Sequence, residues 1–236
     1  MNELSRDELL AEAERRGNSY KFLSVCYRLP DEEWQETMKA ARNAAMHQSL
    51  EELVETTPPG RDELRVDYSK LFVGPFEVLA PPYGSVYMEQ HGRAMGESTL
   101  DVERRYREEG LDIDLDEPAD HVVAELEFMY YHVASEAEAI GNGDLETATA
   151  CLEKQRSFLE SHLGNWIGEF ANNVAENADT EFFSTLGRET APFVEGDLDR
   201  IRDRIKRLDA GSTDAGSADA GSDGEEDGRS DDRPPE

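Results

Sequence analysis

The chain has 236 residues, of which 54 are acidic and 24 are basic, so its formal net charge at neutral pH is −30. Phosphate backbones are recognised by basic surfaces, and this charge therefore disfavours nucleic acid as a direct partner. No stretch approaches the ~20 consecutive apolar residues that span a bilayer. The N-terminal segment Met1–Glu8 has neither the basic start nor the apolar run of a secretory signal. We therefore expect a cytoplasmic protein with one hydrophobic core.

The acidity is spread over the whole chain, and it has two interpretations. A dense field of carboxylates keeps a protein hydrated in high salt, where its self-repulsion is screened. A local acidic groove would instead bind a cationic partner. The even spread favours salt adaptation as the main cause, and it leaves room for a local acidic site as well.

Helical periodicity runs through residues 5–208, and no segment shows the alternation of apolar and polar residues that is typical of a strand. The first helix opens with a capping box formed by Ser5 and Glu8. A strong apolar stripe runs from Val122 to Ile140. In chain order, the periodicity predicts helices over residues 5–28, 31–55, 61–72, 99–109, 118–142, 145–163, 165–176, 181–186 and 197–208. The predicted fold is all-α, a single-domain multi-helix bundle over residues 1–208.

The composition changes at Asp209, where the near-repeat Asp-Ala-Gly-Ser begins. Residues 209–236 contain no large apolar side chain, and ten of them are acidic while two are basic. Such a segment cannot offset its ordering entropy by burial, so we predict a disordered acidic tail.

Sequence patterns that indicate catalysis are weak. His121, Glu125 and His132 share one helix face, but the Glu-x-x-His spacing of di-iron bundles does not occur. The chain also lacks a Gly-x-Ser-x-Gly elbow and a phosphate-binding Gly-x-x-x-x-Gly-Lys loop. Cys26 and Cys151 lie far apart, outside any Cys-x-x-Cys pair, which favours reduced thiols over a zinc site. We therefore predict no catalytic residue, metal or cofactor, with a metal- or nucleotide-dependent helical enzyme as the alternative.

Two segments are not explained by helix formation alone. The first runs from Tyr68 to Tyr87 and contains Pro81 and Pro82, which exclude a helix at that point. It predicts an apolar, aromatic-edged cleft suited to a peptide, with a rigid buried connector as the alternative. The second segment, residues 117–129, places acidic side chains near a helix N-terminus, where they also stabilise the helix.

Together these segments resemble the TorD/DmsD family of redox-enzyme maturation chaperones. The resemblance rests on Tyr68-x-x-Leu71-Phe72-x-Gly74-Pro75, Ala80-Pro81-Pro82-Tyr83-Gly84-Ser85-Val86-Tyr87, Gly96-x-Ser98-Thr99, Tyr106-x-x-x-Gly110-Leu111 and Glu117-Pro118-x-Asp120-His121. It implies a TorD-like helical chaperone without catalysis. Such a chaperone holds the catalytic subunit of a molybdenum-cofactor oxidoreductase in the cytoplasm and binds its twin-arginine leader peptide before export. With Tyr87 and Glu125 added, the predicted peptide-binding residues are Tyr68, Leu71, Phe72, Pro81, Pro82, Tyr83, Gly84, Ser85, Tyr87, Asp120, His121 and Glu125.

The chemistry of such a leader is consistent with these residues. A basic segment followed by an apolar stretch needs carboxylates, which bind guanidinium groups bidentately, and an apolar groove. Asp120 and Glu125, about a turn apart on one helix near His121, are the predicted carboxylates, and Leu71–Phe72 and Pro81–Tyr83 are the predicted walls. Within the family, the alternative is a nitrate-reductase-type assembly factor whose client lacks a conventional leader. The client stays open, and a monomer is predicted, with a helix-exchanged dimer as the alternative.

Overall fold

The computed structural model describes residues 5–74, 78–89, 95–112 and 117–217. Within these ranges the chain is helical and contains no β-strand, which confirms the predicted fold class. None of the described helices is long and apolar enough to cross a bilayer. The helices are α1 (Arg6–Cys26), α2 (Trp34–Arg42), α3 (Glu51–Glu55), α4 (Arg61–Tyr68), α5 (Gly84–Met88), α6 (Glu97–Glu108), α7 (Val122–Asn142), α8 (Leu145–Ser161), α9 (Leu163–Asn177) and α10 (Glu181–Ser217).

Helix α1 begins where the sequence predicts. The Ser5 hydroxyl accepts a hydrogen bond from the backbone N–H of Glu8, and the Glu8 carboxylate accepts one from the backbone N–H of Ser5 at 2.7 Å. This reciprocal pair satisfies two N–H groups that have no partner inside the helix. The predicted capping box is confirmed.

The long helices pack side by side around a contiguous apolar core. Helix α1 lies along α7, α10 lies along α9, and α8 contacts α7, α9 and α10. Apolar side chains on the facing stripes of these helices are removed from water, which supplies most of the driving force for folding. The largest fully buried side chains are mainly aromatic, and they include Trp166, Tyr20, Tyr27, Phe22, Phe158, Phe170, Phe182, Phe183 and Phe193.

A buried ion network, here called the Arg16 network, joins α1, α7, α8 and α10. The Arg16 guanidinium donates to both Asp197 oxygens, at 2.6 and 3.1 Å, and to Glu136 at 2.9 Å. Burial by itself raises the pKa of Asp197, but the attraction of Arg16 overrides it and holds that pKa below its usual value. The other members of the network are Tyr20, Gln155, Arg200 and Arg204. Every carboxylate in this network is therefore paired with cations and hydrogen-bond donors.

The predicted helix over residues 31–55 is wrong in its middle. Helix α2 ends at Arg42, and a 3₁₀ turn at Gln48–Leu50 leads into α3. The Arg42 guanidinium donates to the carbonyls of Val54 and Thr56, which folds α3 back against the end of α2. The intervening backbone bonds to α1 instead of continuing the helix, since the N–H of His47 donates to the Ser19 hydroxyl at 2.9 Å.

The two predicted C-terminal helices are one helix, α10. Pro192 has no N–H, so the carbonyl four residues earlier loses its helical donor, yet the helix continues. The fully buried Phe193 and Val194 favour this continuation by packing into the core. Gly187 is required by a close approach to α9 rather than by a helix end, because an added Cβ would lie 2.5 Å from the Ala171 carbonyl oxygen.

Helix α10 also extends past the predicted start of the acidic tail. Its backbone is helical to Ser217, nine residues beyond the boundary at residue 208. The remainder of the predicted tail, residues 218–236, lies outside the described residues.

Candidate functional site

The two segments singled out in the sequence meet in the fold. Tyr83 and His121 form an isolated antiparallel bridge, and the N–H of Val122 donates to the Pro82 carbonyl at 2.8 Å. A strand-like pairing of this kind fixes the backbones of both segments in one orientation. The turn that follows the two prolines is therefore held directly against the start of α7.

The side chain of Asp120 holds that turn in place. Its Oδ2 accepts a hydrogen bond from the backbone N–H of Ser85 at 2.8 Å, and its carbonyl accepts one from the N–H of Gly84 at 2.9 Å. The residue is 1% exposed, and its other carboxylate oxygen, Oδ1, has no hydrogen-bond partner. Asp120 is thus a buried residue that fixes the turn, and its Oδ1 remains free to accept a hydrogen bond.

Glu125 lies behind the same turn. Its Oε2 accepts a hydrogen bond from the Trp166 indole N–H at 3.0 Å, while its Oε1 is buried without a partner. Burial, with a smaller contribution from Asp120, raises the pKa of Glu125 well above its usual value, which favours a neutral carboxyl. An added Cβ at Gly84 would lie 2.8 Å from the indole nitrogen, so only glycine fits there. We call Gly84, Ser85, Asp120, Glu125 and Trp166 the Asp120 cluster.

His121 caps α7, which corrects the predicted start of this helix near Pro118. Its backbone is extended, and its Nδ1 accepts a hydrogen bond from the N–H of Val123 at 3.2 Å. Because the bridge to Tyr83 holds His121 in that extended conformation, the helix cannot begin until Val122. The ring lies edge-to-face with Tyr83, with the ring centroids 5.4 Å apart. Burial lowers the pKa of His121 to about 4, so the imidazole is neutral at physiological pH.

The solvent-facing part of the site consists of different residues. Tyr83 is half-buried, and its hydroxyl donates to the carboxylate of Glu117 at 2.7 Å. Glu117 is exposed, and its charge contributes, after burial, to a raised pKa of Tyr83. Burial and the same carboxylate raise the pKa of Tyr68 to about 12. Glu117 is therefore the accessible carboxylate of the site, whereas Asp120 and Glu125 are enclosed.

Of the two predicted apolar walls, Leu71–Phe72 forms part of the core. Leu71 is fully buried, and Phe72 is 6% exposed and packs edge-to-face on Tyr68, with the ring centroids 4.9 Å apart. A π-helical turn at Ser69–Val73 continues α4, and within it the Leu71 carbonyl accepts a hydrogen bond from the N–H of Ala80 at 2.9 Å. This bond ties the proline segment to the end of α4.

Two further predicted residues flank the turn. Pro81 is half-buried, whereas Pro82 is buried. Tyr87, on α5, is half-buried and stacks on Trp166, with the ring centroids 5.6 Å apart and the ring planes 19° apart. The structure therefore gathers all the predicted peptide-binding residues around one turn, but most of them support it from inside.

Sequence reasoning left two residues of this region out of the predicted set. Trp166 lies on α9 and belongs to a looser echo of the family pattern, Phe158-Leu159-x-x-His162-Leu163-x-x-Trp166, which does not indicate that its indole meets Glu125. Glu117 belongs to the motif that carries the resemblance, and its exposure beside Tyr83 is what marks it out.

The helix face with His121, Glu125 and His132 does not converge on a metal position. Among the described residues, no group of three or more histidine, cysteine, aspartate or glutamate side chains is placed to hold a metal ion. His132 is 2% exposed, and burial lowers its pKa to about 4. Its ring packs on Phe128, with the centroids 4.5 Å apart.

Comparisons with known proteins relate most of the chain to one group. A family model described as the nitrate reductase delta subunit matches residues 35–172, more than half of the chain. A chaperone protein TorD from Photobacterium profundum is 29% identical over 70% of this chain and 72% of its own length. A perchlorate reductase assembly chaperone protein from Dechloromonas aromatica is 28% identical over 85% of this chain and 97% of its own length.

A solved structure shares the fold. The crystal structure of a redox enzyme maturation protein from Archaeoglobus fulgidus matches with a TM-score of 0.54 and 23% sequence identity. The match covers 83% of this chain and 96% of the other. At that identity the likeness extends to the helical architecture and not to particular contacts.

Proposed function

The chain belongs to the TorD family of chaperones, which the nitrate reductase delta subunit model describes, and we propose that it assists the maturation of a molybdenum-cofactor oxidoreductase. In this proposal it binds the client's catalytic subunit in the cytoplasm before the cofactor is inserted, and it catalyses no reaction. The names of the TorD and perchlorate reductase relatives support the role.

We further propose that the turn beside α7 receives the client's twin-arginine leader. The observation that carries this proposal is the bridge between Tyr83 and His121, which brings an exposed carboxylate, an aromatic ring and a proline-fixed backbone to one surface. A guanidinium can pair bidentately with the Glu117 carboxylate while it stacks on the face of Tyr83. The Tyr83 hydroxyl already orients that carboxylate, so little ordering is needed on binding.

The buried predicted residues have a supporting role in this scheme. Asp120 fixes the backbone of Ser85, His121 packs against Tyr83, and Glu125 anchors the turn through Trp166. Leu71 and Phe72 hold the proline segment through the core. A peptide on the surface therefore depends on these residues through the shape of the turn.

A second candidate function is assembly of a client without a conventional leader. The name of the perchlorate reductase relative, which refers to assembly of a reductase, and the description of the matching family model, which refers to nitrate reductase, favour it. In that case the same surface would bind a basic segment of the mature subunit.

Calorimetric titration of a synthetic twin-arginine leader into the purified protein tests the leader proposal. Glu117→Gln removes the exposed charge and should weaken binding about tenfold or more, the usual scale for one charge-assisted contact. The control is Glu146→Gln, which changes an exposed glutamate at the start of α8 and should bind like the parent.

The remaining outcomes separate the two candidates. Binding of the apo catalytic subunit without binding of the leader would favour the second candidate. Binding of neither would contradict the chaperone proposal. Equal affinity in Glu117→Gln and the parent would show that the arginines lie elsewhere.

A further inference from the structure

Met95 presents an apolar side chain to solvent on an unusual backbone. Its φ angle is 68°, and it is the single non-glycine residue with positive φ in the described part of the chain. The residue is 72% exposed, so burial of the side chain does not compensate for this conformation. A left-handed backbone is unfavourable for methionine, and such outliers concentrate at functional sites.

The surrounding chain fixes Met95 in this position. Its N–H donates to the Ser85 hydroxyl at 3.2 Å. Next to it, Gly96 lies so close to the Glu89 carboxylate that an added Cβ would displace that carboxylate, which accepts two hydrogen bonds from Ser98, at 2.7 and 2.9 Å. Met95 is therefore tied on one side to the Asp120 cluster and adjoins the anchored start of α6 on the other.

Leu100 adds a second exposed apolar side chain on α6. It is 64% exposed and lies five residues beyond Met95, in the second turn of the helix. Single exposed apolar residues are common on protein surfaces. Met95 and Leu100 differ from such single residues because Met95 has an unfavourable backbone conformation and is hydrogen-bonded to the proposed leader-binding turn.

Met95 lies close enough to Tyr83 for one extended peptide to contact both. Tyr83 and Ser85 are two residues apart, so their α-carbons lie within about 7 Å of each other. The amide of Met95 lies one hydrogen bond beyond Ser85. An extended peptide covers ~10–14 Å in four residues, so a leader that crosses the backbone of Tyr83 reaches the Met95 amide within a few residues.

We infer that Met95 and Leu100 bind the apolar stretch that follows the twin arginines of the leader. This inference rests on the proposed function, and it names the apolar half of the binding surface. The predicted walls Leu71 and Phe72 cannot take this role without opening the core, because they are buried. A flexible thioether adapts to differing apolar sequences, which suits recognition of a segment defined by composition.

Two peptides and three variants test the inference by calorimetry. One peptide is the complete leader, and the other contains its basic segment alone. Met95→Gly removes the side chain and replaces it with the residue that tolerates positive φ. Leu100→Ser removes the other apolar group, and Leu145→Ser is the matched control, since Leu145 is a 60% exposed leucine at the start of α8.

The parent should bind the complete leader more tightly than the basic segment. Met95→Gly and Leu100→Ser should each lose about fivefold to tenfold of affinity for the complete leader, the scale expected when an aliphatic contact is removed. Neither variant should lose affinity for the basic segment. Met95→Gly should melt within about 2 °C of the parent or above it, because relief of the backbone offsets the added freedom of glycine.

Other results overturn the inference. If both variants bind the complete leader like the parent, or if Leu145→Ser loses as much affinity as Leu100→Ser, the apolar stretch does not lie on this pair. Binding of the basic segment by every variant would then leave the proposed function intact. If the parent binds neither peptide, the inference and the proposed leader recognition fail together.

Discussion

Two buried polar clusters in this fold use the same residue types in opposite ways. In the Arg16 network, each carboxylate is paired with a guanidinium and further donors. In the Asp120 cluster no ion pair to a cation forms among the described contacts, and both Asp120 and Glu125 keep one oxygen without a partner. The first cluster joins long helices, and the second supports a turn at the surface.

The difference shows in the charge states of the carboxyl groups. Asp197 is fully enclosed, yet Arg16 keeps its pKa low and the group ionised. Glu125 is equally enclosed and has only an indole donor, so burial raises its pKa. A buried acid thus stays ionised where its partners are complete, and removal of one partner from such a set is strongly destabilising. Where the partners are incomplete, as at Glu125, a carboxylate oxygen stays without a hydrogen-bond donor beside a candidate binding surface.

The largest expected effect is on the Arg16 network. Arg16→Met leaves Asp197 and Glu136 without their central cation, so the free energy of unfolding should fall by about 3–5 kcal/mol. Equilibrium urea unfolding measures this change. Arg15→Met, an exposed neighbour on the same helix, is the control and should change stability by less than about 0.5 kcal/mol. Equal losses in the two variants would show that the network is not a stabilising unit.

A smaller effect is expected at Asp120. Asp120→Ala leaves the buried N–H of Ser85 without an acceptor, which should cost about 1–3 kcal/mol of stability. Asp120→Asn retains an acceptor oxygen and should cost less than about 1 kcal/mol, because the amide can still bond to Ser85. Thermal melts of the two variants in one buffer compare them. A loss in Asp120→Asn as large as that in Asp120→Ala would mean that the negative charge, and not the hydrogen bond, holds the turn.

The effect expected at Glu125 vanishes in acid and grows with pH. Because the folded state raises the pKa of Glu125, the folded protein keeps this proton when the unfolded chain releases it. The parent therefore loses stability as pH rises above about 4.3, the usual pKa of glutamate. Glu125→Gln removes this dependence, so its melting temperature should match the parent in acid and exceed it at neutral pH. If the stability of Glu125→Gln relative to the parent fell between acid and neutral pH, Glu125 would be ionised in the folded protein.

Sequence patterns predicted the periodic part of the fold and missed the interruptions. Helices α1, α7 and α8 follow strong signals, such as the Ser5 capping box. The break after Arg42 depends on that side chain reaching distant carbonyls, and the continuity of α10 through Pro192 depends on tertiary burial. Helix propensities and capping rules act over a few neighbouring residues, so they predict neither of these contacts.

The sequence indicated which residues form the candidate site, but not which of them are exposed to solvent. The resemblance named segments that meet at the bridge between Tyr83 and His121. Since carboxylates are mostly exposed in proteins, the enclosure of Asp120 and Glu125 could not be expected from sequence. Peptide binding by these residues stays a prediction, as does the salt adaptation inferred from the net charge of −30.

The π-helical turn at Ser69–Val73 makes the site sensitive to changes in chain length. The N–H of Gly74 donates to the Ser69 carbonyl five residues back at 2.7 Å, so this turn holds one residue more than an α-helical turn. Loss of a single codon there would restore α-helical spacing and rotate the following chain by about 100° about the helix axis. The bond from Ala80 to the Leu71 carbonyl would then be out of register. A lineage could therefore lose the proline segment's docking by one in-frame deletion, with every residue of the motif that begins at Ala80 unchanged.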